Sequence, residues 1–269
     1  MPSSAKSGWE IFYETRGQRT APPLLMILGL SHRLAHWGRL PDLLAERLFV
    51  VTFDCRGFGA SERRDEPFTI DDEMQDIEAV LDAVGLDTAH LYGRSRGGAL
   101  AQEFALSRPQ RVQSLVLCGT THFGPQRVGY TPEVEKAMNF TPDMRREDIF
   151  ATQNIAMAAP GWRERDPEAF HYCLSTDLEA PPRRFAVVNQ QRSIAEWSSY
   201  ARLHEIQCPT LVLCGEDDGM VPPENSRQLA EGIPGAQLTL IPQCGHLPML
   251  EQPETIARLV ADCITRAAA

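Results

Sequence analysis

Three residue types at three separated places could together activate a hydroxyl. Gly93-Arg94-Ser95-Arg96-Gly97-Gly98 fits the pattern G-x-S-x-G, directly after an apolar run at 89–92 and at the start of a helical run at 97–108. A strand-to-helix turn this tight strains its central residue and needs small neighbours, which the glycines supply. Ser95 would then stand above a sheet edge, at a helix amino end whose dipole favours developing negative charge. A serine hydroxyl is a weak nucleophile until a base takes its proton. His246, in Gln243-Cys244-Gly245-His246-Leu247-Pro248, follows the last strand candidate and is the candidate base. Such a base needs a carboxylate to fix its tautomer. Gly215-Glu216-Asp217-Asp218-Gly219 ends the run at 210–214 and offers Asp218, with Asp217 as the alternative. The other strand end suited to an acid leads into Gly119-Thr120-Thr121-His122 and holds no carboxylate. The chemistry expected of this set is acyl transfer through a serine ester.

The remaining histidines fit the base less well. His32 and His36 are four apart, but no Glu follows the first as in H-E-x-x-H, so no metal is expected. No G-x-G-x-x-G opens a βαβ unit, so no dinucleotide is expected, nor any other cofactor. A net charge of −10 disfavours nucleic acid and anionic membranes as partners and leaves small molecules. Seven scattered cysteines, never spaced C-x-x-C, suit a reducing cytoplasm. The start, Met1 to Trp9, has no apolar run suited to a signal peptide, and no stretch reaches the about 18 apolar residues that cross a bilayer.

Positioning these residues requires a scaffold. Short, continuous apolar runs at 24–28, 48–53, 89–92, 114–118, 210–214 and 237–241 read as strands covered on both faces. Helical patterns at 35–47, 70–84, 97–108, 223–231 and 253–266 alternate with them. The alternation predicts an α/β fold, a mainly parallel sheet with helices on both faces. The rhythm breaks at 120–207, where Gly124-Pro125, Pro132, Pro142, Pro160-Gly161, Pro167 and Pro181-Pro182 separate short helical patches. This segment is expected to be an inserted helical cap, leaving 1–119 and 208–269 as the core.

With the order Ser, Asp, His in place, the chain resembles the α/β-hydrolase family. Asp54-Cys55-Arg56-Gly57-Phe58-Gly59-Ala60-Ser61 is similar to that family's D-x-R-G-x-G-x-S turn, and Met249-Leu250-Glu251-Gln252-Pro253 to its closing helix. The resemblance implies an oxyanion hole made by the backbone N–H groups of Leu30 and Arg96. Where the family usually reads His-Gly-x-Gly, this chain reads Leu28-Gly29-Leu30-Ser31 and lacks the loop-bracing histidine. Arg94 and Arg96 also depart from the pattern. The Arg96 side chain either reaches a substrate carboxylate or turns inward to a structural acid. Phe123 and Trp162 of the cap either touch substrate or fill the cap's own core. The resemblance implies a hydrolase of small-molecule carboxylic esters or lactones, akin to carboxylesterases, enol-lactonases and methylesterases. The alternatives are a C–C bond hydrolase of a β-diketone or dienoate acid using the same triad, and a non-catalytic ligand receptor on the same fold.

Overall fold

The computed structural model describes residues 3–4, 8–141 and 143–267. Met1, Pro2, residues 5–7, Pro142 and the last two residues lie outside the described residues, and with them most of the amino-terminal reading and the Pro142 breaker.

Among the described residues eight strands form one sheet: β1 (Ser3–Ser4), β2 (Ile11–Arg16), β3 (Pro23–Ile27), β4 (Phe49–Phe53), β5 (Ala89–Arg94), β6 (Val112–Cys118), β7 (Thr210–Gly215) and β8 (Gln237–Ile241). Their spatial order is β1-β2-β4-β3-β5-β6-β7-β8. β2 runs antiparallel to β1 and β4, and every other pairing is parallel. All six expected strands are present. β1 and β2 are additions; β2 is half-buried along most of its length and therefore lacks the continuous apolar run of the expected strands.

The helices of the core are α1 (Leu40–Ala45), α2 (Ile70–Val84) and α3 (Arg96–Ser107), followed after β7 by others introduced below. Thr69 caps α2 by accepting from the Asp72 amide, and Gly85 ends it in the left-handed region. The helix expected at 35–47 is divided. A short 3-10 turn at Leu34–Trp37 ends at Gly38, whose φ is 55°, and α1 restarts with Pro41 in its first turn, where a missing N–H does no harm. Between β6 and β7 lie α4 (Pro132–Met138), α5 (Arg146–Met157), α6 (Trp162–Arg165), α7 (Pro167–Glu179) and α8 (Arg184–Ser193). After β7 come α9 (Pro223–Gly232), α10 (Pro248–Glu251) and α11 (Pro253–Ala267).

Strand residues divide by parity between two apolar cores. Leu25, Ile27, Leu91, Leu115 and Leu117 join Met74, Ile77 and Phe104 of α2 and α3 on one face. Leu24, Met26, Tyr92, Val116 and Leu213 join Leu44 of α1 and Ile256, Val260 and Ile264 of α11 on the other. Two-sided burial makes the strands apolar throughout and fixes their register, since a slip by one residue would exchange the two sets.

Candidate active site

β5 ends at Arg94 and α3 begins at Arg96, so Ser95 alone makes the turn. Its φ of 51° and ψ of −123° lie where non-glycine residues rarely settle. Neighbouring contacts hold it there: its N–H donates to the Cys118 carbonyl at 2.9 Å, and Thr120 Oγ1 donates to its own carbonyl at 2.7 Å. The glycines are required by close approach. A Cβ on Gly97 would sit 2.3 Å from the Ile27 carbonyl oxygen, and one on Gly93 would sit 2.6 Å from that of Gly97. Ser95 is the one partly open residue in the otherwise buried stretch 89–102.

His246 reaches the same point from beyond β8. Its Nε2 lies 3.1 Å from Ser95 Oγ, and its Nδ1 lies 2.8 Å from Asp218 Oδ2. A carboxylate only accepts, so Nδ1 carries the proton and Nε2 turns its lone pair toward the serine. Asp218 is buried after β7, while its neighbours Glu216 and Asp217 are exposed, which decides between the two aspartates. Its Oδ1 accepts from the Met220 and Val221 amides at 3.0 and 2.8 Å. Burial lowers the pKa of His246 below its usual value, and the Arg94 charge adds to this, while Asp218 opposes both.

The two amides implied as oxyanion donors flank Ser95. The Arg96 N–H belongs to the first turn of α3, where helix amides lack intrahelical acceptors. The loop carrying Leu30 passes close by, since a Cβ on Gly29 would lie 3.1 Å from Ser95 Cβ. Next in this loop, Ser31 has a φ of 62°. Its N–H donates to Gln190 Oε1 of α8 at 2.9 Å. The Gln190 carbonyl in turn accepts from Arg96 Nε at 2.9 Å. Gln190 thus touches both flanks of the site, from a position that shows no signal in the sequence.

The Arg96 side chain does not reach the site, which corrects the substrate-carboxylate alternative. Its guanidinium pairs with Glu73 of α2, both side chains being at most 3% exposed, and also donates to Ser193 Oγ. Trp162 is corrected as well: it is 3% exposed, packs edge-on against Phe170 at 5.7 Å and belongs to the apolar core on the α11 face. Phe123 is half-buried and packs against Trp197 at 5.8 Å. Two further residues brace the site. Arg94 donates to the His246 carbonyl and, through Nη1, contacts His32 Nδ1 at 3.0 Å. Glu251 accepts from the amides of Gly245 and Leu247, on either side of His246, and from that of Ala159. Among the described residues no cluster of three or more His, Cys, Asp or Glu could hold a metal ion, and no helix is long and apolar enough to cross a membrane.

The sequence profile of the alpha/beta hydrolase fold matches residues 22–253. The 2-hydroxymuconate semialdehyde hydrolase of Pseudomonas sp. strain CF600 is 32% identical over 258 residues, covering 91% of this chain and 87% of that protein. Among solved structures, a thermophilic esterase from Thermogutta terrifontis superposes with a TM-score of 0.80 at 27% identity, covering 97% of this chain and 95% of that one. An enzyme that degrades N-acyl homoserine lactones superposes at 0.81 and 27%, covering 96% and 98%.

Proposed function

The chain belongs to the α/β-hydrolase family, and from that premise we propose that it hydrolyses small-molecule carboxylic esters or lactones through a serine ester. The observation that carries this reading is the continuous relay from Ser95 Oγ through His246 to Asp218, with links of 3.1 and 2.8 Å.

Ser95 Oγ attacks the substrate carbonyl while His246 Nε2 takes its proton, forming one C–O bond and moving the carbonyl electron pair onto oxygen. The amides of Leu30 and Arg96 stabilise that oxyanion. The C–O bond to the alcohol then breaks, and His246 returns the proton to the departing oxygen. Water repeats the sequence on the serine ester and releases the acid. Asp218 keeps Nδ1 protonated and stabilises the imidazolium of each step. The segment 120–207 acts as the cap that shapes the substrate space. The seven cysteines, all free, support a reducing compartment such as the cytoplasm as its location.

The esterase and lactone-degrading neighbours support ester or lactone cleavage. A second reading, C–C bond hydrolysis by the same triad, is favoured by the similarity to 2-hydroxymuconate semialdehyde hydrolase. Against it stands the engagement of Arg96 with Glu73, which removes that guanidinium from service to a substrate carboxylate. The test is a panel of p-nitrophenyl esters, lactones and β-diketone acids, with fluorophosphonate labelling of the unmodified protein and of Ser95→Ala. Labelling that depends on Ser95, with esters or lactones turned over fastest, is the expected result. Faster cleavage of the diketone acids would replace the first reading by the second. Neither labelling nor turnover would leave a receptor.

A further inference from the structure

A recess of about 70 Å³ has walls that include Ser31, His32, His36, Asn154, Met157 and Asp177. Ser31 and His32 continue the loop of the Leu30 amide, and the Met157 carbonyl accepts from the His246 N–H at 2.7 Å. Most polar groups on these walls are already used. Asp177 accepts from His36 Nε2 at 3.0 Å through one oxygen and from Asn154 Nδ2 at 2.8 Å through the other.

His32 is different. Its Nδ1 lies 3.0 Å from Arg94 Nη1, and a guanidinium has no lone pair to offer. Nδ1 must therefore accept, and the ring proton resides on Nε2. Among the described residues that N–H has no acceptor. The ring is held against His36, its centroid 4.2 Å away and the planes 5° apart, so the free donor is fixed in direction. Burial, with the Arg94 charge beside it, holds the pKa of the ring well below the usual value and keeps it neutral.

We propose that His32 is a substrate-binding residue whose Nε2–H takes an uncharged oxygen of the substrate, carbonyl or ether, a few atoms from the scissile carbonyl. The preferred substrates are then short oxygenated acyl esters or lactones. The oxygen is uncharged because the Asp177 carboxylate lines the same recess and opposes a second anion. It belongs to a short chain because a recess of about 70 Å³ is small. This inference rests on the serine-hydrolase reading and adds a specificity to it.

The test compares two fluorophosphonates of equal shape, one with a 2-methoxyethyl chain and one with a butyl chain, by their rates of Ser95 labelling. His32→Asn keeps an oxygen near the Nδ1 position for Arg94 and removes the Nε2 donor. We expect the methoxyethyl-to-butyl rate ratio to fall about three- to tenfold in His32→Asn, the worth of one hydrogen bond. An unchanged ratio overturns the subsite while leaving the hydrolase reading intact. Failure of both probes to label the unmodified protein overturns both. Ring ¹⁵N shifts of the unmodified protein give a readout that needs no variant: His32 should carry its proton on Nε2, and a proton on Nδ1 rules the proposal out.

Discussion

The division of labour among Ser95, His246 and Asp218 makes unequal losses. Ser95→Ala removes the bond-forming atom, and turnover should fall by about a million-fold, toward what binding and the oxyanion amides supply alone. Asp218→Asn keeps the shape but favours the wrong histidine tautomer. A loss of about 10⁴ in kcat with little change in KM is expected. His246 works only while unprotonated, and its pKa is lowered by burial and further by Arg94. The acid limb of kcat/KM should therefore lie below the ordinary histidine value of about 6.5. Arg94→Met removes one lowering influence, so the limb should move up in pH. A limb at or above 6.5 in the unmodified enzyme would contradict this. These three residues were legible in the sequence because each stands in a local pattern at a strand end. The partners of the two arginines were not. Glu73 lies 23 positions from Arg96, and the loop it braces through Gln190 lies on a different part of the chain. Burial of a charge demands an opposite charge somewhere, yet nothing local says where.

At the scale of elements, α8 replaces what the Leu28–Ser31 loop lacks. Gln190 accepts from Ser31 through its side chain and from Arg96 through its main chain, so one helical residue ties together the two stretches that carry the proposed oxyanion donors. Gln190→Ala should lower kcat by up to about a hundredfold through a small displacement of the loop, while denaturation shifts by only about 1 kcal/mol. Equal kcat in the variant would mean the loop holds itself. The Arg96–Glu73 pair joins α3 to α2 and should weigh more on stability. Glu73→Gln leaves a guanidinium buried without its counter-charge, at a cost of about 3 kcal/mol in urea unfolding. Arg96→Met should slow acidic and neutral esters alike. The strands flanking the site were readable because parallel strands buried on both faces are apolar throughout. β2 was not readable, being an edge-side antiparallel strand with mixed exposure. The division of 35–47 turns on the positive φ of Gly38, which a helical period alone does not register.

At the scale of the molecule, burial is unevenly distributed. The strands β3 to β7 are almost wholly buried, whereas in α5 only Asn154 is. The exposed large apolar side chains, among them Val128, Tyr130, Phe140, Met144 and Ile155, fall in the segment between β6 and β7. Regions with few buried apolar contacts open at lower free energy than the global transition. Amide hydrogens of α4 and α5 should accordingly exchange well before those of β5 and β6. At the end of α5 the site meets this segment through a backbone bond, from the His246 N–H to the Met157 carbonyl. Fixing His246 against a phosphonylated Ser95 should hold that bond and slow exchange at the His246 amide and the end of α5, leaving α4 little changed. Uniform slowing across the whole segment would mean instead that it closes as one body, and no change at His246 would mean that the bond is not part of the resting site.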